Sequence, residues 1–291
     1  MHLWPLHKTM RCLLSLALLA PLTPHSVAQS TEADLKARLV NKPLYLRSFL
    51  KEDNLLFDLT GKLTVPSAHA PFPLCGIYID GVKLQKDKLV LSGGRMALQF
   101  KPTMDRIHIP ETVQIEIAGA PGADYGPALD KIFADGLADL TPSLPPYWQP
   151  YAQKTFLHTS VPVSPEPSAN PVPSTGPQPA VATAQPTPAQ PSSDDMILRV
   201  GRGITPPVLL SQAQATYSNI ARQLKLRGDV TLSFVVRKDG SISNISIATP
   251  LGLGLDEQAI GALYQYRYKP AMQGSTPVSV YRDVVINFTI Y

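Results

Sequence analysis

Cysteine and histidine are scarce in this chain of 291 residues, and each shortage excludes a class of chemistry. Cys12 and Cys75 are the two cysteines. Cys12 falls in a segment expected to be removed, so a mature chain would keep Cys75 alone and could form no intramolecular disulfide even in an oxidising compartment. Cys75 lies in the apolar run from Phe72 to Tyr78, where a buried, inert thiol is expected. Beyond residue 28 the histidines are His69, His108 and His158, with no paired metal-ligand spacing, and one thiol does not make a structural zinc site. Gly201-Arg202-Gly203 lacks the third glycine and the preceding strand of a dinucleotide loop. The stretch from Gly119 to Gly126 has neither Ser nor Lys to act as nucleophile or phosphate ligand. The carboxylate pairs Glu32 with Asp34 and Asp135 with Asp139 fall on predicted helical surfaces, which favours solvated faces over acid–base work. No catalytic residue, metal ligand or cofactor is expected, and the chain is taken as a non-enzyme.

Long hydrophobic runs are also missing. The longest near the start, Cys12 to Leu22, would span only ~17 Å as a helix, short of the ~30 Å hydrocarbon core. Lys8 and Arg11 precede it and Ser26-Val27-Ala28 follows, the pattern of an export signal over residues 1–28 cleaved after Ala28. An uncleaved anchor is the alternative, and Cys12 lacks the small residues that precede a lipoprotein cleavage site. The net charge of +4 and pI near 9.0 come partly from this segment and do not argue for nucleic acid or membrane as a partner.

Proline is the residue in excess: 30 occur, roughly twice the average share, and they are unevenly spread. Between Val161 and Pro191 the sequence is nearly all Pro, Ser, Thr, Ala, Gln and Val, with Glu166 its single charge. Such a stretch buries too little apolar surface to offset its ordering and is expected to be an extended, disordered spacer. It divides the chain into a first domain over 29–155, a spacer over 156–195 and a second domain over 196–291.

The first domain is expected to be β-rich. A helix from Thr31 to Leu39 is capped by Thr31, and strands follow at 44–49, 55–59, 74–84, 88–91, 96–100 and 113–117. Turns are placed at Asp53-Asn54, Gly61, Asp80-Gly81 and Gly93-Gly94. The pattern suggests a small barrel or rolled sheet. A helix from Ala128 to Leu140 packs on it through Leu129, Ile132, Phe133, Leu137 and Leu140, and the run Pro145 to Tyr151 closes the domain.

The second domain carries the clearer periods. Ser218 caps a helix reaching Lys225, with Ile220, Ala221 and Leu224 as its buried stripe. Val230, Leu232, Phe234 and Val236 alternate with polar residues, as in a strand with one covered face. Asp239-Gly240 makes a tight turn, and Ile242, Ile245 and Ile247 return with a spacing that suggests a bulge. A helix with Leu255, Ala259 and Leu263 precedes a last strand containing Val280, Val284, Ile286, Phe288 and Ile290. The order helix, strand, strand, helix, strand makes a two-layer α/β sandwich on an antiparallel sheet, and the whole chain an α+β protein.

These residues resemble the TonB C-terminal domain family over nearly all of Val200 to Tyr291. The resemblance rests on Tyr217 at the helix start, Gly228-Asp229-Val230, the alternating Leu232 to Val236, Gly240, the helix from Leu255 to Tyr264, and Tyr268-Lys269-Pro270-Ala271. Val200-Gly201 and Thr205-Pro206-Pro207 look like the lead-in of members with proline-rich linkers, while Ser218 stands where the family usually has proline. The resemblance implies a periplasmic, envelope-located protein-binding module in transmembrane transport. Its last strand would add to a short strand offered by an outer-membrane receptor. The outward residues Ser279, Tyr281, Asp283, Val285 and Asn287 would then tune selectivity, or simply keep that face soluble. A basic cluster of Arg222, Lys225 and Arg227 would steer an acidic partner, or be a solvated helix end. Members that transmit energy have a membrane-spanning helix coupled to a proton-driven motor, and the short run here does not look like one. Alternatives are an assembly factor that dimerises through the last strand and an anchored energy transducer with an uncleaved N-terminus.

Overall fold

Residues 30–100, 103–157, 196–201 and 203–290 are described by the structure, a computed structural model. The expected export signal, Arg202 and nearly all of the proline-rich spacer lie outside the described residues.

In the N-terminal half, α1 (Glu32–Leu39) begins where the Thr31 hydroxyl accepts the Asp34 N–H at 3.2 Å, and Leu35 and Leu39 are buried beneath it. The strands are β1 (Pro43–Leu46), β2 (Asn54–Phe57), β3 (Gly76–Leu84), β4 (Lys88–Gln99), β5 (Asp105–Ala118) and β6 (Phe133–Ala134). They form one six-stranded sheet in the order β2-β5-β4-β3-β1-β6, open rather than closed into a barrel, with β2 parallel to β5. Gly93 and Gly94 do not turn the chain, contrary to expectation. They lie inside β4, where Gly93 passes against the Tyr78 carbonyl and Gly94 against the Tyr78 ring, leaving no room for a Cβ. Asp80-Gly81 likewise sits within β3, at a register shift, with Gly81 against Ser92. Cys75 is fully buried, and burial pushes its thiol far above the usual range.

The expected helix over 128–140 is broken in three. It becomes α2 (Gly126–Ile132), the strand β6 and α3 (Leu137–Leu140). Phe133 and Ala134 leave the helix to pair with Leu46 and Tyr45, and the Arg47 guanidinium ties the break by donating to the carbonyls of Asp130, Phe133 and Asp139. Next comes α4 (Gln149–Thr155).

The C-terminal half opens with three short strands, β7 (Leu198–Arg199), β8 (Ile204–Thr205) and β9 (Val208–Ser211). Then come α5 (Asn219–Gln223), β10 (Gly228–Val236), β11 (Ile242–Thr249), α6 (Leu255–Leu263), β12 (Arg267–Lys269), β13 (Ala271–Gln273), β14 (Thr276–Val278) and β15 (Val280–Phe288). The main sheet runs β11-β10-β15-β7, while β9 pairs with β12, and β8 and β14 flank β13. The alternation in β10 is realised, since Val230, Leu232, Phe234 and Val236 are all buried under α6, which contributes Leu255, Ala259 and Leu263. Ser218 caps α5 by accepting the Ala221 N–H at 3.1 Å. Leu224 departs from the expected buried stripe: α5 stops at Gln223, Lys225 takes a left-handed backbone, and Leu224 is exposed. The β10–β11 register shifts bear out the expected bulge.

The two halves meet in a shared apolar cluster, while the N-terminal half keeps a second cluster of its own. Phe100 N–H donates to the Leu251 carbonyl at 3.1 Å and Leu253 N–H to the Leu98 carbonyl at 3.0 Å, stitching the end of β4 to the loop before α6. Gly252 makes this possible, with φ of +95° and no room for a Cβ beside the Leu98 carbonyl. Ile247 N–H donates to the Tyr147 carbonyl at 2.9 Å, so the N-terminal half lies against the β11 side of the second sheet. Trp148, fully buried, meets Phe72 edge-on at 5.0 Å between centroids and Phe100 at 5.6 Å, and joins the same apolar cluster as Leu232, Phe234 and Leu255.

One carboxyl sits inside this joint. Glu257 Oε1 accepts the Trp148 indole N–H at 2.9 Å, while Oε2 is buried without a hydrogen-bond partner. Asp256 beside it accepts the Leu251 and Gly252 amides, each at 2.8 Å. Burial first, and then the neighbouring Asp256, push the Glu257 carboxyl well above its ordinary value of 4.5. A raised carboxyl holds its proton in the folded state after the unfolded chain has released it. Stability is therefore full below 4.5 and falls as pH climbs from there through the raised value. Glu257→Gln should unfold at a higher temperature than the wild type near pH 8, the gap closing towards pH 4; thermal unfolding across that range checks it.

Candidate protein-interaction edge

Strand β15 pairs antiparallel with β10 along its whole length, from Val280 opposite Val236 to Phe288 opposite Gly228. On its other side β7 pairs in parallel with Val280 and Tyr281 only. Among the described residues no strand pairs with that side beyond Tyr281. The last strand is therefore a rim strand from Arg282 onward, capped over its first two residues, rather than a rim throughout.

The direction of the main-chain groups follows from one bond. Leu198 N–H donates to the Ser279 carbonyl at 2.9 Å, so Ser279 turns its carbonyl towards the β7 side. Amide and carbonyl of one strand residue share an edge, and successive residues alternate. Tyr281, Asp283, Val285 and Asn287 therefore offer their main-chain groups to the β7 side. Val280, Arg282, Val284, Ile286 and Phe288 spend theirs on β10. The open ladder consists of Asp283, Val285 and Asn287.

Side chains follow the same alternation. Val280, Ile286 and Phe288 are buried against the core, while Tyr281, Asp283, Val285 and Asn287 are exposed on the opposite face. Val285 is 60% exposed, an apolar side chain standing at the middle of the open ladder. Asp283 accepts the Ser233 hydroxyl at 2.6 Å and Asn287 donates to Asp229 at 2.6 Å, so both are held by β10 and kept in place for a neighbour. Ser279 differs from the other four: it is buried, its hydroxyl has no hydrogen-bond partner, and its carbonyl is already taken by Leu198.

A groove of about 480 Å³ opens on this face where β7 ends, lined by Arg199, Val200, Ser233, Tyr281, Arg282 and Asp283. The Arg199 guanidinium lies over the Tyr281 ring at 5.7 Å. The basic residues Arg222, in the last turn of α5, and Lys225 and Arg227, on the connection from α5 to β10, are exposed. Because Gly228 pairs with Phe288, that cluster stands at the far end of β15 from β7. Sequence reasoning missed β7, although its neighbours Val200-Gly201 had been singled out in the lead-in. It also missed the joint at which Ile247 of β11 bonds Tyr147.

An α/β sandwich whose last strand is open from Arg282 onward has the geometry that strand-adding interaction modules use. Residues 213–290 match the Gram-negative bacterial TonB protein C-terminal family. Its domains are non-enzymatic, protein-interacting modules of envelope transport. The solution structure of the Pseudomonas aeruginosa TonB C-terminal domain is similar over 32% of this chain and 93% of that one, at 18% identity and a TM-score of 0.23. No curated protein matches the chain. The lead-in with β7, and the entire N-terminal half, lie outside the family match.

Proposed function

We propose that the chain is an exported envelope protein that binds an extended segment of another protein, an outer-membrane receptor, by strand addition along β15. The observation that carries this reading is the open ladder of Asp283, Val285 and Asn287 beside a β10 partner that is fully paired. Main-chain bonding supplies affinity, and the exposed Val285 and Tyr281 side chains select among segments. The basic cluster at the far end of the strand favours a segment with acidic residues there.

Fluorescence anisotropy with labelled peptides copied from the periplasm-facing ends of outer-membrane receptors tests this. The full chain should bind, and a variant with proline at position 285 should not. Self-association through β15 with no peptide bound would instead mark an assembly factor that dimerises by the same edge.

A further inference from the structure

Resting on that reading of β15, we propose that β7 is an intrachain cap which holds the first positions of the docking edge and must leave before a partner strand can use the full length. The cap is built from the chain itself. Leu198 N–H occupies the Ser279 carbonyl at 2.9 Å, and the parallel register sets Leu198 beside Val280 and Arg199 beside Tyr281. Arg199 adds its guanidinium over the Tyr281 ring, which a partner running alongside would otherwise cover. Immediately afterwards the chain turns away: Gly201, with φ of +128°, bridges to Ile204, whose N–H donates to the Gly201 carbonyl at 3.2 Å, and β8 then pairs with β13. The cap thus ends where the open ladder begins.

Two residues of parallel pairing make a weak attachment, since each main-chain bond contributes only modestly in water. Arg199 is exposed, and Leu198 is only partly buried at the margin of the apolar cluster, so release costs a single apolar side-chain contact besides the main-chain bonds. An incoming strand that displaces β7 gains the Ser279 carbonyl and the Tyr281 amide. One that stops at Arg282 does not. The cap therefore favours long partner segments over short ones and holds the edge partly closed without a partner, when an unpaired rim would invite indiscriminate pairing.

The test compares two labelled receptor peptides on the full chain. One is long enough to lie along all of β15; the other matches only Asp283 to Asn287. Leu198→Pro removes the N–H that binds Ser279 and detaches the cap. It should tighten the long peptide by about three- to tenfold and leave the short one unchanged. Arg199→Ala, which leaves the main chain intact, should shift the long peptide the same way by less. Equal or weaker binding of the long peptide to both variants overturns the cap. Val285→Pro separates this from failure of the underlying reading: if it leaves the wild-type affinity for both peptides intact, strand addition itself is wrong.

Discussion

Trp148→Ala is expected to destabilise the protein by about 3–5 kcal/mol, a large part of the roughly 5–15 kcal/mol that holds a typical fold. Trp148 is fully buried, with Phe72 and Phe100 on one side and the α6 region on the other. Removing it empties the joint and strips Glu257 of its hydrogen-bond donor. The loss should also uncouple the halves, so chemical denaturation followed by near-ultraviolet and far-ultraviolet circular dichroism should change from one transition to two. Trp148→Phe should cost less, because it keeps most of the apolar contact and loses only the indole N–H. A cost under about 1 kcal/mol for the alanine variant would mean that the halves do not share a core.

The second large effect is on binding. Val285→Pro should lower affinity for a receptor peptide by about tenfold or more, because it removes an outward donor at the centre of the ladder and leaves a peptide carbonyl unsatisfied. Its effect on the fold should be small, since Val285 directs its amide away from β10 and its side chain into solvent. Val284→Pro is the matched control. That amide faces β10, so proline there should damage the sheet itself, and thermal unfolding of the two variants distinguishes a lost binding edge from a lost fold.

The elements most legible in the sequence were those whose burial follows a simple period. Val230 to Val236 alternate because one face of β10 lies under α6, and the spacing of Leu255, Ala259 and Leu263 follows the helix that covers it. Period failed where two structures share it. Leu129, Ile132, Phe133, Leu137 and Leu140 continue a helical spacing straight across the break at β6, which is set by pairing with β1 and by Arg47 from a distant part of the chain. Gly93 and Gly94 carry the composition of a turn, yet they are small because Tyr78 of the neighbouring strand crosses them.

The candidate edge was legible in its alternation but not in its cap, since two residues of β7 have no period to display. The joint between the halves was hidden for another reason. Phe72, Phe100 and Trp148 are widely separated aromatics that would suit the core of the first domain equally well, and Glu257 looks like an ordinary acidic residue in the first turn of α6. Only their convergence reveals the shared core, and convergence is a property of the fold rather than of any local stretch.

Hydrogen exchange of the β15 amides, followed by NMR in the full chain, tests the open edge most directly. In the free protein the amides of Asp283, Val285 and Asn287 should exchange quickly while those of Val284 and Ile286 are protected, and a bound receptor peptide should slow the first three. Protection of Asp283, Val285 and Asn287 in the free monomer, equal to that of their neighbours, would show the edge already filled and would contradict the account.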